Sequence, residues 1–175
     1  GQVLDPTTAV SNMKWFKGGF QNCVYGDFLP RILGRMARFK LDTLDAAQVL
    51  GFTLADLEPK GCRGGFQDCS YVYFGTYFNV AANEGAVARF KFDSFGDVQV
   101  LDLSTTDSAL KGFKGSFQDG TYGYFTPLTN GAGYFGKVAH FKLDTFGDVQ
   151  VLDLMARHSA PEGWESCRFS DQDPI

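Results

Sequence analysis

Three sets of carboxylate and amide side chains recur at fixed positions in this 175-residue sequence. The sets are Asp42, Asp93 and Asp144; Asp102 and Asp153; and Asn22, Asp68 and Asp119. Oxygen ligands of this kind suit a hard cation such as Ca²⁺. An Asp at a strand end, however, commonly accepts hydrogen bonds from the N–H groups of the next turn. We therefore predict turn-stabilising residues and no bound metal or other cofactor.

A second recurring set is basic and consists of Lys40, Lys91 and Lys142 with Arg38, Arg89 and His140. These side chains could bind an anion, but acidic strand ends neighbour them, so we expect solvated side chains or cross-strand ion pairs. His140 has no recognisable nucleophile or orienting partner. The chain also has no phosphate-binding glycine loop, HExxH or GxSxG motif. The sequence therefore predicts a protein that is not an enzyme.

The four cysteines do not form a metal-binding pattern. They are Cys23, Cys62, Cys69 and Cys167, with no CxxC motif and only two histidines in the chain. Cys62 and Cys69 would lie roughly 20 Å apart on an extended segment, whereas a disulfide needs Cα atoms within about 7 Å. We expect mostly structural thiols.

The sequence is built from repeats. The string FGDVQVLDL stands at 95–103 and again at 146–154, 51 residues later. FKLD or FKFD begins at Phe39, Phe90 and Phe141, while GGFQNC, GGFQDC and GSFQDG begin at residues 18, 64 and 115. A shorter loop in the first copy accounts for its smaller interval. We divide the single repeat domain, 1–175, into units 7–54, 55–103 and 104–154, with partial units at 1–6 and 155–175.

Each unit divides into four short extended segments. In the third unit they are 112–118, 121–127, 137–143 and 149–154, and Asp119 with Gly120 forms a hairpin turn. Ala139, Phe141 and Leu143 alternate with Val138, His140 and Lys142, which predicts one apolar and one mixed face on the third segment. The second segment has aromatic residues on both faces and should be covered on both sides. The expected fold is all-β, with four antiparallel strands per unit.

A four-stranded sheet repeated at this interval is typical of a β-propeller blade. The sequence resembles kelch and WD40 propellers in period and strand number, without the Gly-His and Trp-Asp signatures of WD40. It is more closely similar to the tandem repeats of large, mostly uncharacterised algal and protist proteins. The resemblance implies a partial or partner-completed β-propeller of about three blades with half-blades at the ends. A β-trefoil or β-prism is the alternative.

The number of units leaves the propeller incomplete, because closed propellers have at least about four blades. Two chains could close one ring, a different partner could supply the rest, or the sequence could be part of a longer array. An unpaired edge strand must be covered by a partner. We expect protein binding or self-association at the open ends, through Val3 and Leu4 and through Trp164, Arg168 and Phe169.

Composition excludes some partners. The net charge of −4 is spread along the chain, without the basic cluster that nucleic acid requires. The most apolar run, 71–82, is too short for a membrane helix. The first residue is Gly1, which suggests a precursor processed after organelle or secretory targeting; the compartment itself stays unassigned.

These observations favour a non-catalytic scaffold or protein-binding subunit, a peripheral accessory component of a larger assembly. The algal resemblance implies an organelle membrane complex, such as a photosystem, as one possible host. A carbohydrate-binding module is the alternative, with Tyr77, Phe78 and Tyr134 stacking on sugar rings. A propeller enzyme is a third and less favoured hypothesis.

Overall fold

The computed structural model describes residues 16–21, 24–30, 35–43, 48–51, 62–77, 85–133 and 136–156. These residues form three four-stranded antiparallel sheets, each with its strands in chain order. Sheet I contains β1 (Phe16–Gln21), β2 (Tyr25–Pro30), β3 (Arg35–Lys40) and β4 (Gln48–Gly51). Sheet II contains β5 (Cys62–Gln67), β6 (Tyr71–Thr76), β7 (Ala86–Lys91) and β8 (Gly96–Asp102). Sheet III contains β9 (Phe113–Gln118), β10 (Tyr122–Pro127), β11 (Lys137–Lys142) and β12 (Gly147–Asp153).

The all-β prediction is confirmed. In the described part of the chain, the only helical element is one 3-10 turn at Leu103–Thr105. Asp102 caps this turn by accepting a hydrogen bond from the main-chain N–H of Ser104 at 2.8 Å. In sheet III, the fourth strand begins two residues earlier than the sequence pattern predicted, at Gly147.

The sheets follow one another through their first strands, because β1 contacts β5 and β5 contacts β9. Two apolar clusters fill the spaces between successive sheets. The cluster between sheets I and II is formed by Met36, Cys62, Val72, Phe74, Ala88, Phe90 and Phe92. The cluster between sheets II and III includes the equivalent residues of the next repeat, among them Val87, Phe113, Phe125, Ala139, Phe141 and Leu143. The two junctions are therefore successive copies of one interface.

Burial of the strands differs between the middle and last sheets. In β6, Val72–Thr76 are all buried, as expected for a strand covered on both sides. In β7, Ala86–Phe90 are also all buried, so the mixed face is covered as well, and only Lys91 at its end is exposed. In β10, only Gly123 and Phe125 are buried. Among the described residues, sheet III is packed against a neighbouring sheet on one side only, so the prediction of two covered faces is not met for this strand.

The repeated FGD sequence forms a tight turn in sheets II and III. Phe95 and Asp97 have φ values of 47° and 52°, and Phe146 and Asp148 have φ values of 50° and 51°. This left-handed region is unfavourable for a side chain as bulky as Phe. Such a strained backbone conformation persists only where surrounding contacts hold the residue in place. Both Phe rings make such contacts, as described below.

Candidate functional site: the faces that join successive sheets

One face of each sheet carries a row of side chains that are direct cross-strand neighbours. We call it the leading face, because in sheets I and II it packs against the next sheet along the chain. Its rows are Phe20, Asp27 and Arg38 in sheet I; Phe66, Tyr73 and Arg89 in sheet II; and Phe117, Tyr124 and His140 in sheet III. The rows occupy equivalent repeat positions, so their differences can be read position by position.

The opposite face of each sheet, which we call the trailing face, is aromatic and aliphatic. It carries Phe28, Phe39 and Leu41 in sheet I; Phe74, Phe90 and Phe92 in sheet II; and Phe125, Phe141 and Leu143 in sheet III. Ring pairs repeat on all three sheets, with centroids 5.2 Å apart for Phe28 and Phe39 and 6.2 Å apart for Phe125 and Phe141. A junction therefore joins the leading face of one sheet to the trailing face of the next.

At the junction between sheets II and III, the guanidinium of Arg89 is held between two rings. Its Cζ lies 4.2 Å from the ring centroid of Tyr71 in its own sheet and 4.3 Å from that of Phe146 in the next sheet. Its Nη1 donates to the main-chain carbonyl of Leu143 at 2.8 Å, and its Nε donates to Oε1 of Gln99 at 2.9 Å. A planar, weakly hydrated guanidinium suits such stacking. Arg89 thus joins two sheets.

Arg38 repeats this arrangement at the junction between sheets I and II. Its Nη1 donates to the main-chain carbonyl of Phe92. Its Cζ lies 4.4 Å from the ring centroid of Phe92 and 4.3 Å from that of Phe95. Sheet II provides these acceptor groups at the positions where sheet III provides Leu143 and Phe146. The strained FGD turn therefore places a ring on the arginine of the preceding sheet.

The two arginines differ in how their charge is balanced. Arg38 pairs directly with Asp27, whose Oδ1 lies 2.8 Å from the arginine Nε, and both side chains are buried. Burial raises the pKa of the Asp27 carboxyl, and the hydrogen bond and charge of Arg38 oppose that shift. Sheet II has Tyr73 at this position, and its hydroxyl donates to Oδ2 of Asp68 at 2.8 Å. Burial, together with this hydrogen bond, raises the pKa of the Tyr73 phenol well above its usual range.

The sequence keeps one carboxylate in each repeat although Asp27 of the first repeat is replaced by Tyr73 in the second. Asn22 stands in the first repeat where Asp68 stands in the second, so each repeat has one carboxylate at one of these two positions. Sheet III follows the pattern of sheet II, because Tyr124 donates to Oδ2 of Asp119 at 2.8 Å. Its third member, however, is His140, which lies where the other sheets have a buried arginine.

The leading face of sheet III forms a continuous row of rings with no sheet packed on it among the described residues. Phe117 stacks on Tyr124 with centroids 4.6 Å apart, and Tyr124 stacks on His140 at 5.5 Å. Phe117 is 52% exposed, whereas its equivalent Phe66 is 8% exposed. His140 Nδ1 is buried and has no hydrogen-bond partner within the described part of the chain. This face carries the residue types of an internal junction, but no described sheet covers it.

The trailing face of sheet I is open in the same way. Leu41 is 37% exposed, while its equivalents Phe92 and Leu143 are 3% and 7% exposed. Phe28 and Phe39 are only partly buried, whereas Phe74 and Phe90 are fully buried in sheet II. The described part of the chain therefore has one open leading face and one open trailing face.

The recurring carboxylates act in turns, as the sequence analysis predicted. Oδ1 of Asp119 accepts from the main-chain N–H groups of Thr121 and Tyr122 at 2.9 and 2.8 Å. These bonds lower the pKa of the Asp119 carboxyl. Asp68 accepts from Ser70 and Tyr71 in the same way. Within the described ranges, no three His, Cys, Asp or Glu side chains are grouped so that they could hold a metal ion.

Two of the recurring lysines, Lys91 and Lys142, form exposed ion pairs, as expected from their neighbours. Nζ of Lys142 lies 3.0 Å from Oδ2 of Asp148, which raises the lysine pKa. Lys91 lies 3.6 Å from Asp97. The expectation of a solvated side chain or a cross-strand ion pair fits Arg38, which pairs with Asp27, but not Arg89. Arg89 is instead buried where sheet II packs against sheet III.

The residues predicted to bind a partner, Val3, Leu4, Trp164, Arg168 and Phe169, lie outside the described residues. Of the predicted sugar-binding residues, Phe78 and Tyr134 also lie outside them. Tyr77 is described, and the guanidinium of Arg63 lies 4.2 Å from its ring centroid. One face of the Tyr77 ring is thus occupied. Cys62 is buried and Cys69 is exposed, and no disulfide joins them.

An open cleft of about 300 Å³ is lined by Ser70, Tyr71, Lys91 and Asp93. Lys91 in this cleft also forms an ion pair with Asp97, and the ring of Tyr71 stacks on Arg89.

None of the described helices is long and apolar enough to cross a bilayer. No protein-family model matches the chain, and no curated protein matches it.

Proposed function

We propose that this chain is a non-catalytic β-repeat scaffold that binds protein partners through its two open sheet faces. One observation carries the proposal: the types of side chain that are buried at each internal junction recur on both outer faces, where they are more exposed to solvent. Phe117 and Leu41 are the most exposed members of those faces. Exposed apolar surface of this kind marks an interaction site.

The proposal is non-catalytic because the recurring polar groups already have structural roles. Asp68 and Asp119 bind turn N–H groups, Asp102 caps a 3-10 turn, and Arg38 and Arg89 hold sheets together. Their repetition fits a scaffold, since catalysis needs unlike groups converging on one point.

The proposed architecture is a partial β-propeller in which each sheet is one blade. Successive sheets meet through their first strands and bury both faces of the middle sheet, which is how blades pack around a propeller axis. A partner then completes the ring. As an accessory subunit, the chain would sit at the periphery of a larger assembly; the resemblance to algal repeats favours an organelle membrane complex such as a photosystem as its host.

Site-specific photo-crosslinking in extracts of the source cells tests this function. A photoreactive phenylalanine analogue is placed at Phe117, at Leu41 and, as a control, at Ser108, which is exposed in the connection between sheets II and III. We expect protein adducts from the first two positions and none from the third, with the partner identified by mass spectrometry. Equal labelling at all three positions, or none at either face, would contradict a binding role.

A further inference from the structure

We infer that the partner of each open face is a second copy of this chain, joined head to tail so that the leading face of sheet III packs on the trailing face of sheet I. The inference rests on the proposed function and names the occupant of its binding faces. It commits to an interface between unlike faces, of the kind that the chain already makes twice within itself.

The first argument is continuity with the internal junctions. Phe66 is packed against Phe125 of the next sheet, with ring centroids 5.8 Å apart, and Tyr73 is packed against Phe141 at 6.1 Å. The equivalents of Phe66 and Tyr73 on the open leading face are Phe117 and Tyr124. The equivalents of Phe125 and Phe141 on the open trailing face are Phe28 and Phe39. Both halves of the junction are thus present, on opposite ends of one chain.

The second argument is that the sequence departs from the repeat at two positions that are partners in the internal junctions. The leading face of sheet III has His140 where Arg38 and Arg89 stand in the other repeats. In sequence, the first repeat has Leu44 where Phe95 and Phe146 stand, and it lacks the FGD string. At the internal junctions these two positions meet, because Arg38 lies 4.3 Å from the Phe95 ring and Arg89 lies 4.3 Å from the Phe146 ring.

The third argument concerns this arginine position. An arginine with no ring to stack on would be a poorly compensated buried charge, and the leading face of sheet III has no arginine at the position of Arg38 and Arg89.

A contact between unlike faces produces closed rings or open chains, depending on the rotation between subunits. Two copies bring together two sets of three sheets, which is within the blade range of closed propellers. We expect the closed dimer to be the stable form, because it leaves neither face exposed.

Complementation between two variants provides the test. Phe117→Asp disables the leading face, and Leu41→Asp disables the trailing face. In a head-to-tail interface every contact needs one intact face of each kind, so each variant alone should self-associate more weakly than the wild type. An equimolar mixture should form a dimer through the remaining intact pair. Ser108→Asp is the control and should associate like the wild-type chain.

The measurement is sedimentation velocity of the full chain over a range of concentrations, with circular dichroism to confirm that each variant is folded. We expect wild-type dimers, and each single variant should lower the association constant by about tenfold or more, as loss of a central aromatic or aliphatic contact does. A wild-type chain that stays monomeric at every concentration overturns the inference. So does a single variant that self-associates as strongly as the wild type, since that result indicates contact between like faces. A mixture that associates no more strongly than either variant alone also overturns the inference.

The outcomes separate this inference from the proposed function. Adducts of Phe117 and Leu41 with a different protein, together with a monomeric purified chain, would leave the scaffold function standing and overturn self-association. A monomeric chain with no adducts at either face would overturn both.

Discussion

Arg89 donates a hydrogen bond from Nη1 to the main-chain carbonyl of Leu143 at 2.8 Å, across the boundary between two sheets. Arg38 makes the same contact to Phe92 one repeat earlier. A main-chain acceptor does not depend on the side chain at that position, which is Phe in one sheet and Leu in the other. The arginine can therefore fix the approach of two sheets while the apolar residues around it vary.

The first prediction concerns the charge of Asp27. In Arg38→Met the buried Asp27 carboxylate loses its partner, and breaking a buried ion pair costs about 3–5 kcal/mol. Burial already raises the pKa of Asp27, and removal of Arg38 raises it further. The folded state then holds the proton more tightly than the unfolded state, so stability falls as pH rises above the unfolded carboxyl pKa. Urea unfolding at several pH values should show the cost shrinking in acid.

Arg89→Met is the matched control for this prediction. Within the described part of the chain, Arg89 donates hydrogen bonds to Gln99, Tyr73 and Leu143, none of which is a carboxylate. Its loss should destabilise the fold without the same dependence on acid pH. Identical pH dependence in the two variants would mean that Asp27 is not the responsible group.

The second prediction concerns the strain in the FGD turn. Both Phe95→Ala and Phe95→Gly remove the ring that stacks on Arg38 and should destabilise the chain. Because φ at this position is 47°, glycine adopts the backbone conformation without the cost that alanine pays. We expect the glycine variant to be more stable than the alanine variant by about 1 kcal/mol. Thermal unfolding of the two proteins measures the difference, and the opposite order would argue against a strained turn.

The third prediction concerns the space at Gly123. A Cβ atom here would lie 2.6 Å from Cζ of Phe66 and 2.8 Å from Cζ of Phe141. Gly123→Ala should therefore overpack the junction between sheets II and III and cost about 1–3 kcal/mol. Gly133→Ala is the control, because a Cβ there meets no atom within 4 Å. If both variants unfold at the same denaturant concentration as the wild type, this junction is less tightly packed than described.

The fourth prediction concerns Asp119. Two turn N–H groups and the Tyr124 hydroxyl lower the pKa of its carboxyl. The stability that this group contributes is therefore present at neutral pH and is lost as pH falls through the lowered value. An NMR titration of the side-chain carboxyl should give a midpoint below that of an ordinary aspartate. Tyr124→Phe removes one donor and should raise the midpoint, whereas an unchanged midpoint would show that the Tyr124 bond does not form in solution.

The sequence predicts the number and direction of the strands because the turns and alternation are local signals. Asp119 with Gly120 marks a hairpin, and Gly120 has the positive φ, 92°, that such a turn allows. The burial of Arg89 could not be predicted from such local signals. It depends on a sheet formed some fifty residues later, since the acceptor carbonyl belongs to Leu143.

A usable signal for the junction was nevertheless present in the sequence. Arg38 and Arg89 hold the same repeat position, and the identical nonapeptide begins with the Phe that stacks on the preceding arginine. Treating the two as contact partners requires the assumption that neighbouring repeats pack face to face. The open faces were predicted only as unpaired ends, because the sequence alone does not distinguish an exposed ring such as Phe117 from a buried one such as Phe66.

The equivalence of the two junctions has a consequence for how such a chain can change length. Phe95 and Phe146 are separated by 51 residues, and an in-frame duplication of that segment would create a contact of a kind the chain already makes. The outermost surfaces would be unaltered. Gain or loss of a whole unit therefore changes the size of the molecule while preserving its means of attachment.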